Sequence, residues 1–175
     1  MSLPRDLIGA WERRSLTLGD APPSEPASVI WVQGCSAYAD LRVPVDSADP
    51  VECFAGTTSW EPPRLRWSHD IDLAGGPAAV TDTGDVEWVD GDLVERGVFQ
   101  IDGVEVPYTE VWHRLPGSDG PVLEEVEPGA STRVVVGDHE MLVVDRRAEG
   151  GGFGARYRRR GVVVLAHGDL EGVLV

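Results

Sequence analysis

The sequence contains neither lysine nor asparagine, and all 15 of its basic residues are arginine. Without lysine, Schiff-base chemistry, a catalytic amine and a P-loop are excluded. A preference for arginine, alanine, glycine and valine over lysine and asparagine reads as the coding bias of a GC-rich bacterial genome. Cysteine is scarce too. Cys35 and Cys53 lack zinc-site spacing and are expected to be reduced, small core residues, although on neighbouring strands they could approach each other. No apolar run is long enough for a membrane span or a signal-peptide core, so a cytoplasmic protein is expected. Positive charge is the last deficit: 15 basic residues against 30 acidic ones give a net charge of -15. Such a field repels nucleic acid and anionic lipid, so neither is expected as a partner. The run Arg156-Tyr157-Arg158-Arg159-Arg160 reads as a solvated strand end.

What is present points to β structure in one domain spanning residues 1–175, a length that can bury a sizeable core. Thirteen prolines and 21 glycines punctuate short apolar runs, and no stretch sustains a helical period. Strands are expected at 8–18, 28–34, 36–43, 51–59, 64–73, 78–89, 92–100, 104–114, 132–136, 140–146 and 156–166. Asp90-Gly91 and Asp102-Gly103 are hairpin signals that make 78–114 a three-stranded meander, and Gly137-Asp138 marks a further hairpin. A meander leaves exposed edges unless it closes, which favours an all-β, antiparallel up-and-down barrel of about 8–10 strands with little helix. Arg64 to Leu73 is the clearest strand. Leu65, Trp67, His69, Ile71 and Leu73 alternate with charged or polar residues, so an inward tryptophan is followed by an inward histidine that needs a partner.

Several short elements come in a fixed order: Tyr38-x-x-Leu41-Arg42, Phe54-Ala55-Gly56-Thr57, Trp67-x-His69-Asp70, Gly84-Asp85-Val86-Glu87-Trp88, Glu95-Arg96-Gly97 and Tyr108-x-Glu110-x-Trp112. Over residues 36–115 this set resembles a lipocalin-like (calycin-like) barrel family of fungi and bacteria, whose yeast member was named for interacting with a casein-kinase-type kinase. The start Gly9-Ala10-Trp11 with Arg13 and Arg14 resembles the Gly-x-Trp opening of lipocalin-like barrels, where the tryptophan plugs one end under an arginine. The resemblance implies the barrel and little else, since no enzymatic activity is attached to the family. The kinase partner is not carried over, and the C-terminal third is unmatched.

Strand parity then selects an interior. Tyr38, Arg42, His69, Glu95, Tyr108 and Glu110, walled by Trp67, Trp88 and Trp112, are the candidate ligand-binding residues, with Glu95 and Glu110 as the expected partners of His69. Three readings are open: non-catalytic binding of a small apolar or aromatic molecule, a self-filled structural or protein-interaction barrel, and an enzyme using a Glu/His pair. No cofactor or metal is expected, because His69, His113, His139 and His167 share no ligand spacing and His167 reads as a surface loop residue. No catalytic residue is assigned. Monomer and homodimer both remain open.

Overall fold

A computed structural model describes residues 2–75, 81–168 and 170. Eight strands close into an antiparallel barrel: β1 (Gly9–Leu18), β2 (Ala27–Gln33), β3 (Ala37–Pro44), β4 (Glu52–Glu61), β5 (Arg64–Ser68), β7 (Thr81–Val89), β8 (Asp92–Ile101) and β9 (Val104–Arg114). Neighbours in sequence pair throughout, β3 with β4 included, and β9 returns to β1. Among the described residues, each of these eight strands pairs with a neighbour on both sides, which removes the aggregation hazard that unpaired strands carry. Both expected meander turns form with left-handed residue pairs, Asp90 (φ 52°) with Gly91 (φ 90°) and Asp102 (φ 51°) with Gly103 (φ 78°). The expected start of β7 at residues 78–80 lies outside the described residues.

Three departures from the sequence reading shape the molecule. The expected strand 64–73 breaks after Ser68. The Ser68 carbonyl accepts a hydrogen bond from the Tyr38 hydroxyl (3.1 Å), and its Oγ accepts one from the Thr57 amide (3.0 Å). The chain resumes as β6 (Ile71–Asp72) on β4, and the break reverses its parity. Ile71 and Leu73 therefore face outward, and only Leu65, Trp67 and His69 keep the inward side.

Second, the chain beyond Arg114 does not extend the barrel. It forms a five-stranded antiparallel meander of β10 (Val122–Glu127), β11 (Ser131–Val136), β12 (His139–Asp145), β13 (Phe153–Arg159) and β14 (Val162–Gly168). Strand β10 was not expected. The expected strand 156–166 is two strands split at Arg160 (φ 51°) and Gly161 (φ 77°), and His167 stands on β14, opposite Ala155, not in a loop.

Third, this sheet lies over the outer side of the barrel. Val134, Val136, Met141, Val143, Ala155 and Tyr157 share one buried cluster with the outward side chains Ile30, Val32, Ala37, Ala39, Leu41, Cys53 and Ala55. Strands β2 and β3 are thus buried on both faces, and the outward alanines of β3, Ala37 and Ala39, let the second sheet approach closely. Cys53 is buried in this core, whereas Cys35 is exposed and so departs from the expectation of a core residue; both are free thiols. Glu124 of β10 locks the junction, its carboxylate accepting the amides of Ser36 (2.8 Å) and Ala37 (2.9 Å) at the start of β3. No helix among the described residues is long and apolar enough to cross a membrane.

Candidate functional site

The barrel interior has a filled end and an open end. At the filled end, a short 3-10 turn (Arg5–Leu7) buries Leu7 completely, and the Trp11 indole donates to the Leu7 carbonyl (2.9 Å). Trp11 stacks on Trp31 (5.8 Å, 24°), and Trp31 meets Trp67 (5.9 Å) and Trp112 (5.5 Å) edge-on. These geometries are the favourable ones for aromatic pairs. Leu65, Leu93 and Val86 complete the layer. Trp11 is thus buried in the filled end of the barrel, and Arg13, two residues on, is buried as well.

Above the tryptophans lies a ring of charge. A bulge in β1 between Arg13 and Ser15 places both Arg13, opposite Trp112, and Leu16, opposite Glu110, on the inner side. Arg13 forks onto Glu25 (2.9 and 3.1 Å) and donates to Glu110 (2.5 Å). Burial opposes its charge, and the two carboxylates outweigh that, so its pKa is raised. Across the barrel, Arg42 forks onto Asp40 (3.0 and 3.2 Å), lies 3.8 Å from Glu110 and sits over the Phe54 ring. Glu25, Arg13, Glu110, Arg42 and Asp40 form one network, the arrangement a buried charge requires.

Glu95 stands apart. It faces Glu110 directly across the β8–β9 pair and is 7% exposed. Its oxygens accept from the Tyr108 hydroxyl (2.6 Å) and the Trp112 indole (3.2 Å), and among the described residues no cation pairs with it. Burial, and then the charge of Glu110, push its pKa up to about 8. An indole N–H only donates, so the oxygen facing Trp112 must accept in either state. The neutral acid therefore carries its proton toward Tyr108, whose hydroxyl then becomes the acceptor. Two glycines make room for this arrangement. A Cβ on Gly84 would stand 2.6 Å from Glu95, and one on Gly97 would stand 2.5 Å from the Tyr108 ring, which instead stacks on Phe99 (4.1 Å, 15°).

His69 is bound elsewhere than expected. Its Nε2 lies 3.0 Å from Asp82 and its Nδ1 3.4 Å from Asp72, while the ring stacks on Phe54 (4.4 Å). It makes no hydrogen bond to Glu95 or Glu110. Burial works against the imidazolium, and the two aspartates more than offset it, so the pKa of His69 is raised and that of Asp82 lowered.

These groups surround a cavity of about 480 Å³, whose lining also includes Leu18, Pro44, Pro50 and Ile101. Of the nine residues expected to line the interior, eight do so: Tyr38, Arg42, Trp67, His69, Glu95, Tyr108, Glu110 and Trp112. Trp88 does not. It shares the parity of Val86 but stands two residues short of the Asp90–Gly91 turn, where β7 has run past the packed interior, and it is 43% exposed. Barrel strands are tilted, so parity near a hairpin end no longer guarantees a place inside.

Sequence reasoning left out Trp31, Arg13, Asp40 and Asp82, all on the cavity wall. Trp31 and Asp82 were recoverable from parity, as partners of Trp11 and Trp67 in the strand register. Arg13 was recoverable only in part, because the bulge beside it is invisible in the pattern. Among the described residues, no three His, Cys, Asp or Glu side chains are grouped to hold a metal ion.

Comparison with known proteins agrees with this architecture. A crystal structure of the uncharacterized protein YLR301w from Saccharomyces cerevisiae is similar over 91% of this chain and 85% of that one, with a TM-score of 0.68 and 16% identity. At that identity the likeness concerns the fold. A search of curated protein sequences finds no match. The sequence model of the family described as Protein HRI1 matches residues 10–168, and the chain therefore belongs to the HRI1 family.

Proposed function

We propose that this protein binds a small molecule with an apolar or aromatic body inside its barrel, without transforming it. The observation that carries the reading is the cavity itself. At about 480 Å³ it falls within the roughly 300–1,000 Å³ of ordinary small-molecule sites. Its floor is Trp31, Trp67 and Trp112, its walls include Tyr38, Phe54 and Phe99, and a few polar groups converge above the floor. Such a mixture gives an aromatic guest stacking surface and gives its polar end an orientation. The floor is rigid because its tryptophans already pack on one another, which keeps the cost of ordering low on binding.

The test is a metabolite library read by melting temperature and by tryptophan fluorescence, since three indoles border the cavity. A true ligand raises the melting temperature by mass action and changes the emission. A library in which no compound does either counts against the proposal.

A further inference from the structure

We infer that the occupant of the cavity is an organic cation, an amine or quaternary ammonium on an aromatic or apolar body, whose charge sits against Glu95 and Glu110. The inference rests on the reading of the cavity as a ligand site and adds the charge class.

The first ground is the balance of charge on the wall. Among the described residues, Asp40, Asp49, Glu52, Asp82, Glu95 and Glu110 line the cavity, against the guanidiniums of Arg13 and Arg42 and the imidazole of His69, whose two ring nitrogens are taken by Asp72 and Asp82. Both guanidiniums are already committed. Arg13 spends its Nε and both Nη atoms on Glu25 and Glu110. Arg42 forks onto Asp40, and its remaining nitrogen lies 3.8 Å from Glu110 and 4.0 Å from Glu52. An entering anion would find no spare guanidinium donor and would meet an excess of carboxylates.

Glu95 supplies the second ground. Among the described residues, Arg13, Glu110, Arg42 and Asp40 are all ion-paired, yet this acid is held only by a phenol and an indole, face to face with another glutamate. Ionised, it would be an uncompensated charge opposite Glu110, which is costly, so without a ligand it stays protonated at neutral pH. A cation between them supplies the missing charge. Its surroundings suit it, since Trp31, Trp67, Trp112 and Tyr108 line the cavity and aromatic rings attract a desolvated ammonium. The field of a molecule with net charge -15 draws cations toward the mouth.

The arrangement also makes binding depend on pH. With its pKa raised to about 8, Glu95 holds a proton at neutral pH, and an arriving cation favours the ionised form and releases that proton. Affinity for a cation therefore climbs as pH rises toward about 8 and levels off above it.

Three probes of one shape decide the matter: tryptamine (cationic), 3-ethylindole (neutral) and indole-3-propionate (anionic). Each is titrated calorimetrically into the wild-type protein and into E95Q at about pH 6.5 and about pH 8.5, a range bracketing the Glu95 ionisation. Tryptamine is expected to bind about tenfold or more tightly than 3-ethylindole at the higher pH, as a buried charge pair warrants. The advantage shrinks at the lower pH, indole-3-propionate binds weakest, and E95Q loses most of the pH dependence of the tryptamine-to-ethylindole ratio. The remainder belongs to His69, which lines the same cavity and whose pKa is raised. Neutral or anionic probes binding as tightly as tryptamine overturn the charge inference while leaving the cavity a ligand site. If none of the three binds, the inference falls, and the metabolite library decides separately whether the binding reading falls with it.

Discussion

Replacing Glu95 by glutamine keeps the shape of the site and both of its hydrogen bonds, because the amide oxygen can accept from the Trp112 indole while the amide nitrogen donates to the Tyr108 hydroxyl. What it removes is an ionisation. The pKa of Glu95 is raised from its ordinary value near 4.5 up to about 8 by burial and by Glu110. A raised folded-state pKa gives stability that is full below the unfolded value and is lost as pH climbs through the folded one. Over that window the native state holds one proton more than the unfolded chain, so stability falls by about 1.4 kcal/mol per pH unit. The cumulative loss for the wild type is about 3–5 kcal/mol between about pH 5 and pH 8.5. E95Q is spared it. Urea unfolding of the two proteins across this range is the assay, and their difference cancels the other titrating groups. The two are expected to be nearly equal at about pH 5, with E95Q the more stable at about pH 8.5, a gap worth about 10 °C in melting temperature for a chain of this length. Parallel pH profiles, or an E95Q protein less stable than the wild type at the alkaline end, would refute the assignment of the proton to Glu95.

Other parts of the structure make equally definite predictions. Gly97→Ala puts a Cβ 2.5 Å from the Tyr108 ring and should cost about 1–3 kcal/mol in chemical denaturation, the usual penalty of overpacking; no loss would mean that Tyr108 is free to move. NMR titration should separate two histidines by sign. His69 is expected above its ordinary value near 6.5, so its stabilising contribution fades as pH rises through its own pKa. Burial holds His139 below that value, and its contribution, full above 6.5, is lost on acidification. Asp82→Asn should lower the His69 midpoint and leave that of His139 in place; no movement of His69 would reject the pairing. Glu124→Ala removes the carboxylate that bridges β10 to β3 and should cost about 1 kcal/mol of stability in urea unfolding; an unchanged midpoint would show that the two sheets are joined by their apolar contact alone.

Much of the barrel was legible in the sequence because its signals are local. The Asp-Gly pairs specify hairpins that need left-handed residues, and alternation on β8 and β9 brings Glu95, Glu110, Tyr108 and Trp112 to one side. What escaped depends on contacts distant in sequence. The reversal after Ser68 is set by the Tyr38 hydroxyl 30 residues away, and it moves Ile71 and Leu73 to the outer core while leaving His69 to Asp72 and Asp82. Pattern gives the face of a side chain and not its partner, which is how His69 came to be matched with Glu95 and Glu110. The second sheet did leave a trace. Val29, Ile30, Trp31 and Val32 do not alternate, and a strand apolar on both faces is a strand covered on both. The Arg160-Gly161 turn lacked the small polar residue that usually marks such a hairpin.

The central claim is that the space above Trp31, Trp67 and Trp112 receives a small molecule. A crystal structure of the protein with the compound that most raises its melting temperature tests it most directly. The account predicts density for that compound inside the barrel, its ring against Trp67 or Trp112 and its polar end at Glu95 and Glu110. Density for the compound only outside the barrel, with the interior unchanged, would contradict it.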